Sequence, residues 1–147
     1  MDIRIIAVGK ARQSPEQALI DGYCRRLPWR VTIVEISDKG MARRTGAAAL
    51  VAAIPEGAVV VALDGRGKAL GSAEAASLVG QWRDRGERKL CFVIGGADGL
   101  EDSVLAAARL RLSLGPQTWP HLLARAMLAE QLYRWWSILE GHPYHRA

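Results

Sequence analysis

Cysteine, phenylalanine and histidine are scarce in this chain, which has 2, 1 and 3 of them in 147 residues. Cys24 and Cys91 stand far apart inside apolar patterns, which excludes a zinc spacing or a CxxC redox pair and leaves both as buried, inert thiols. His142 and His145 lie close in sequence, but no third ligand in a helical or CxxC context accompanies them and Pro143 forbids a regular helix there, so no metal is expected. Long apolar runs are missing too. The longest, Ala58 to Leu63, falls far short of the ~20 residues a membrane span needs. Asp2 and Arg4 stand where a signal peptide would be greasy, and a soluble cytoplasmic protein is the expectation. Internal repeats and low-complexity segments are absent.

What is present is ordinary globular material, 50% hydrophobic and 24% charged, enough for one continuous core in a single domain spanning residues 1–147. Lys and Arg number 20 against 15 Asp and Glu, a net +5, and the sequence pI is near 9.7. That balance favours a polyanionic partner such as a nucleic acid.

Strand and helix patterns alternate along the chain. Asp2 to Val8 is an isoleucine-rich strand ending at Gly9. Ser14, Pro15 and Gln17 then read as an N-cap, a first-position proline and a capping-box partner for a helix that Pro28 stops. Trp29 to Ile36 is a second strand, Ser37 to Gly46 a basic loop carrying Lys39, Arg43 and Arg44, and Ala47 to Ile54 a short helix. Ala58 to Leu63 has the continuous apolar character of a strand buried on both faces, and Asp64 to Lys68 reads as a basic turn leaving it. A helix from Ser72 to Arg83, a strand from Lys89 to Ile94, a helix from about Glu101 to Ala108 and a strand from Arg111 to Leu114 follow. A long helix from His121 to about Leu139 precedes the tail Gly141 to Ala147. This alternation predicts an α/β fold, a mostly parallel sheet sandwiched by helices, with ligands at the carboxyl ends of the strands.

Three strand-end loops therefore compete for attention: Asp64 to Lys68, Gly95 to Gly99, and Gly115 to Pro120. Their glycines let backbone approach a ligand closely, and one shared pocket is expected. The glycine turn matches neither the dinucleotide nor the Walker fingerprint, so nothing argues for NAD or ATP. The long helix bears Trp135, Trp136, Ile138 and Leu139 at its end, more apolar surface than one face should hold, which suggests a homodimer. Arg125, Arg134 and Arg146 with His121, His142, His145 and Tyr144 combine cations, donors and an aromatic ring suited to phosphate and to an unpaired base.

Taken in order, Phe92-Val93-Ile94-Gly95-Gly96-Ala97-Asp98-Gly99-Leu100, Leu112-Ser113-Leu114, Pro120-His121, Glu130-Gln131-Leu132-Tyr133-Arg134-Trp135-Trp136-Ser137-Ile138 and His142-Pro143-Tyr144-His145-Arg146 form a specific set. With Ile6-Ala7-Val8-Gly9-Lys10 and Tyr23-x-x-Arg26-Leu27-Pro28, it resembles the ribosomal RNA large subunit methyltransferase H family, of the SPOUT class of methyltransferases. The resemblance spans essentially the whole chain.

The resemblance implies a C-terminal trefoil knot, a homodimer, and S-adenosylmethionine bound by the knot loops. Periodicity predicts no such thing, since threaded chains are rare. The implied cofactor positions are Leu63, Gly95, Leu114, Gly115, Pro116, Gln117, Thr118 and Trp119. The implied substrate is a pseudouridine of 23S rRNA in the assembled ribosome, methylated at N3. Tyr144, His145 and Arg146 are the catalytic candidates: Tyr144 and His145 hold the base, Arg146 and Arg134 lie on phosphate or the uracil carbonyls, and either a nearby cation stabilises the N3 anion or a group such as His145 removes the proton. Arg134, His142, Arg43 and Arg44 are candidates for RNA contact. Gly115-Pro116-Gln117-Thr118-Trp119 and Ala97-Asp98 depart from the commoner family sequences, which leaves roles for the Gln117 and Asp98 side chains open. A knotted tRNA methyltransferase and a noncatalytic ribosome- or RNA-binding protein are the alternatives, though no appended RNA-binding domain favours the former.

Overall fold

The computed structural model describes residues 1–37 and 46–146. In it, β1 (Asp2–Val8), β2 (Arg30–Ile36), β3 (Val59–Lys68), β4 (Lys89–Ile94) and β5 (Leu110–Leu112) form one sheet in the order β2-β1-β4-β3-β5. Every strand pair is parallel. The helices are α1 (Pro15–Arg26), α2 (Gly46–Ala52), α3 (Ser72–Asp84), α4 (Asp102–Ala107) and α5 (His121–Leu139). The α/β architecture expected from the alternation is the one formed.

Side-chain alternation along the strands divides the core between the two faces of the sheet. Ile3, Ile5, Val61, Phe92 and Leu112 face α1, α3 and α5, where they meet Ala76, Val79, Leu128, Leu132 and Trp135. Ile6, Val60, Cys91 and Val93 face the other way, toward Leu50 of α2 and Val104 of α4. Each buried aliphatic side chain contributes about 1.5–3 kcal/mol of burial free energy, which is why a sheet buried on both faces needs no polar alternation. Cys91 is wholly buried, and that burial pushes its thiol up to about 11. Cys24 is only half-buried, less than its apolar context suggests; burial and the nearby Asp21 carboxylate raise its thiol.

Local signals hold with two adjustments. Ser14 caps α1 by accepting from the Gln17 backbone N–H at 3.1 Å, but the Gln17 side chain donates to Asp21 at 2.7 Å instead of closing a capping box. The stretch expected to turn away after Leu63 stays extended as part of β3. A bulge lies between Leu63 and Lys68, and Lys68 pairs with Leu112. Gly67 makes this possible: a Cβ there would lie 2.5 Å from the Arg111 carbonyl carbon. β5 correspondingly ends at Leu112, because the Ser113 hydroxyl accepts from the Gly115 N–H at 3.1 Å and pulls the chain out of the ladder.

The apolar end of α5 is partly covered within the chain, with Trp136, Ile138 and Leu139 left half-buried. Trp135 sits in the core 6.0 Å from Phe92, and Trp136, Ile138 and Leu139 pack against the same cluster. Leu139 lies directly over Gly80 of α3. Among the described residues, no helix is long and apolar enough to cross a membrane.

Candidate active site

β4, β3 and β5 are neighbours in the sheet, so their carboxyl-end loops stand side by side. Leu63 is in register with both Ile94 and Leu112, which places it between the other two loops. Gly95 opens a turn closed by the Gly99 N–H donating to the Gly96 carbonyl at 3.1 Å. A Cβ on Gly95 would lie 2.6 Å from the Gly99 carbonyl carbon and oxygen, so only glycine fits. Asp64, next to Leu63, keeps one carboxylate oxygen buried and without a hydrogen-bond partner among the described residues, while the other accepts from the Arg66 N–H at 3.1 Å.

Beside these loops lies a cleft of about 500 Å³, bounded by residues 69–72 at the start of α3, residues 112–115 after β5, and Met127, Glu130, Gln131 and Trp135 of α5. Its volume suits a nucleoside-sized ligand. The structure thus brings Leu114 and Gly115 to the cleft. Leu63 and Gly95 stand at adjacent strand ends without lining it, and Pro116, Gln117, Thr118 and Trp119 are exposed. Trp119 is tethered by its indole N–H donating to the Leu114 carbonyl at 3.3 Å. The buried Trp135 indole N–H, on the cleft wall, has no partner among the described residues.

The tail folds back onto α5 at the rim of this cleft, and Glu130 joins the two. One Glu130 carboxylate oxygen accepts from Arg134 Nε at 3.0 Å, from Arg134 Nη2, and from the Tyr144 hydroxyl at 2.9 Å. The Glu130 hydrogen bond raises the Arg134 guanidinium above its usual range, fixing it as a cation. Burial, helped by contacts with Tyr23 and Glu130, pushes the Tyr144 phenol well up, so it stays protonated and serves as a donor, not a base.

Arg134 Nη1 lies 3.1 Å from His145 Nδ1. A guanidinium only donates, so Nδ1 accepts and the imidazole proton sits on Nε2. His145 thus offers an N–H outward while its lone pair is engaged. His142 accepts the Tyr144 backbone N–H at 3.3 Å and leans on Trp136, ring centroids 5.4 Å apart. Arg146 is exposed, and Arg43 and Arg44 lie outside the described residues.

Sequence reasoning quoted Glu130 and Gln131 only as part of a motif and missed them as cleft residues, along with Ser72, whose hydroxyl bonds the Gln131 amide oxygen at 2.8 Å. One signal was available: Glu130 and Arg134 stand four apart on a helix, the spacing of a facing ion pair.

The family model described as "Predicted SPOUT methyltransferase" matches residues 1–145. A protein of Rhodospirillum centenum named "Ribosomal RNA large subunit methyltransferase H" is 47% identical over the full length of both chains. The chain belongs to the SPOUT methyltransferase family. A relative of the same name from Paramagnetospirillum magneticum is 49% identical over 99% of each chain. The fold is also that of a probable methylase family protein from Haemophilus influenzae, with a TM-score of 0.59 at 14% identity over 99% of this chain and 70% of that one. The SpoU methyltransferase AviRb from Streptomyces viridochromogenes, solved with AdoMet, gives 0.50 at 12% identity over 91% of this chain and 59% of that one. This SPOUT membership implies the C-terminal knot.

Proposed function

We propose that this chain is an S-adenosylmethionine-dependent methyltransferase that modifies N3 of a pseudouridine in 23S rRNA of the assembled ribosome. It works in the cytoplasm as one domain per subunit of a homodimer. The observation that carries this reading is Glu130, which lines the cleft and anchors the cationic, aromatic tail, so a cofactor site and an RNA-facing group share one side chain. The relatives' name supplies the substrate class. The dimer rests on the family resemblance.

The residues present fit the cofactor. The apolar walls at Leu70, Leu114 and Met127 suit its adenine and aliphatic parts, and Ser72, Glu130 and Gln131 on the lining offer polar contacts. When bound, S-adenosylmethionine supplies a methyl group already activated by its sulfonium.

The protein's remaining work is positioning and charge stabilisation. The imide nitrogen must lose its proton to present a lone pair in line with the methyl group. Negative charge then spreads to the flanking carbonyls, where the His145 Nε2–H and the Arg146 guanidinium are available donors. In this arrangement His145 serves as a donor, and a base role would require Arg134 to release Nδ1 first. The proton leaves to solvent.

The test is methyl transfer from labelled cofactor to assembled ribosomes lacking the modification, beside free large subunits and bulk tRNA, with the product nucleoside identified. N3-methylpseudouridine in 23S rRNA from assembled ribosomes alone is the expected result. Label in tRNA would overturn the substrate, and neither transfer nor cofactor binding would overturn the enzyme.

A further inference from the structure

Tyr23 and Arg26 belong to the α1 motif, far in sequence from the tail, yet they pack against it. The Arg26 guanidinium carbon lies 4.4 Å from the centroid of the Tyr133 ring, 5.6 Å from that of Tyr144 and 6.0 Å from that of Tyr23. Its Nη2 donates to the Tyr133 hydroxyl at 3.3 Å. No carboxylate pairs with Arg26 among the described residues, so the aromatic faces are its main partners. Tyr133 in turn meets Tyr144 edge-on, centroids 4.7 Å apart, and the Tyr23 hydroxyl reaches the Tyr144 hydroxyl.

The consequence follows bond by bond. Tyr144 spends its one proton on Glu130, Glu130 holds Arg134 through two nitrogens, and Arg134 caps His145 Nδ1. On α5, Tyr144 is held by the Tyr133 ring, by Glu130 and by the Arg134 guanidinium, whose carbon lies 4.9 Å from the Tyr144 ring centroid, and Arg26 adds the contact from α1 that bridges Tyr133 and Tyr144. We infer that Arg26, with Tyr23, is a positioning residue for methyl transfer: from α1 it clamps the tail onto α5, so that Glu130, Arg134 and His145 hold one arrangement with the His145 proton on Nε2. Arg26 touches neither cleft nor substrate in this role. The inference rests on the proposed function for its catalytic meaning, and on geometry alone for the clamp.

The test uses the full chain with Arg26→Ala, Arg26→Lys and Tyr23→Phe. Three quantities are read: methyl transfer to ribosomes, cofactor affinity, and the imidazole 15N shifts of His145. Arg26 is exposed in the last turn of α1, so cofactor affinity serves as the check on folding. For Arg26→Ala, kcat is expected to fall about ten- to hundredfold, as for a group misplaced by a fraction of an ångström to an ångström. KM for ribosomes and cofactor affinity stay unchanged, and His145 moves from a single Nε2–H form to a mixture of tautomers. Arg26→Lys, which keeps a cation over the rings, recovers part of kcat, and Tyr23→Phe, which keeps the ring, falls between wild type and Arg26→Ala.

A rise in KM with kcat and tautomer unchanged would make Arg26 a plain RNA contact and overturn the clamp. An unchanged tautomer in Arg26→Ala overturns it whatever the kinetics. The tautomer is read without any turnover, so failure of the wild-type chain to methylate RNA strikes the proposed function separately.

Discussion

At the scale of single residues, the site depends on what is missing as much as on what is present. Gly95 is the clearest case, since any side chain there meets the Gly99 backbone, which has no flexible end to yield. Gly95→Ala is expected to force the turn open at a cost of about 1–3 kcal/mol, as overpacking generally does. Because that turn borders the cofactor loops, affinity for S-adenosylmethionine should weaken by about tenfold or more, measurable by calorimetry. Affinity equal to wild type would remove the turn from the binding site. Gly95 was legible from the sequence because a glycine-rich turn after an apolar strand has a local cause. Glu130 was not, because its importance arises only when Tyr144 and Arg134 converge on one carboxylate oxygen.

Among the elements, α5 is tied to the amino-terminal half of the sheet by one buried charge. Arg125 is 1% exposed, its Nη1 donates to Glu35 of β2 at 2.7 Å and its Nη2 to the Gly9 carbonyl at 3.2 Å. Glu35 also accepts from the Ala11 N–H at 2.7 Å. Burial works against the Glu35 charge, but the hydrogen bonds from Arg125 and Ala11 outweigh it and hold the carboxyl below its usual range. Glu35→Ala would leave a guanidinium buried and unpaired, and a loss of about 3 kcal/mol in urea unfolding is expected. The pH dependence has a definite sign. With the folded carboxyl depressed, the unfolded chain binds more protons in the acid range. The stabilisation is complete above the ordinary carboxylate range and disappears as pH falls through the lower folded value. Glu35→Gln should flatten that acid loss, and an unchanged acid profile would show that other carboxylates dominate it. Most elements were readable: Asp2–Val8, Lys89–Ile94 and His121–Leu139 fall where the patterns put them. The extension of β3 was not, because Gly65-Arg66-Gly67-Lys68 has the composition of a turn and its pairing partner Leu112 is remote in sequence.

For the whole molecule, a net charge of +5 on a chain this small favours a polyanionic partner, so the proposed association with a ribosome would be electrostatic in large part. Replacing Arg43 and Arg44 together by alanine should reduce the slope of log affinity against log salt by about 1–2, measured by ribosome binding over a salt series, if each neutralises one phosphate. An unchanged slope would remove that loop from the footprint. The knot that the family implies lies beyond local reading altogether, since it concerns how segments pass one another, which no periodicity encodes. Ser113 shows how two neighbouring segments of this region are joined. Its N–H donates to the Lys68 carbonyl at 2.9 Å, and its hydroxyl bonds the Gly65 carbonyl at 3.3 Å and Gly115 on its own loop. The bulged end of β3 and the loop after β5 are thereby fastened into a single lip. A ligand settling there meets walls whose conformational entropy was surrendered during folding, so little is left to lose on binding, and the cleft is preorganised before anything enters it.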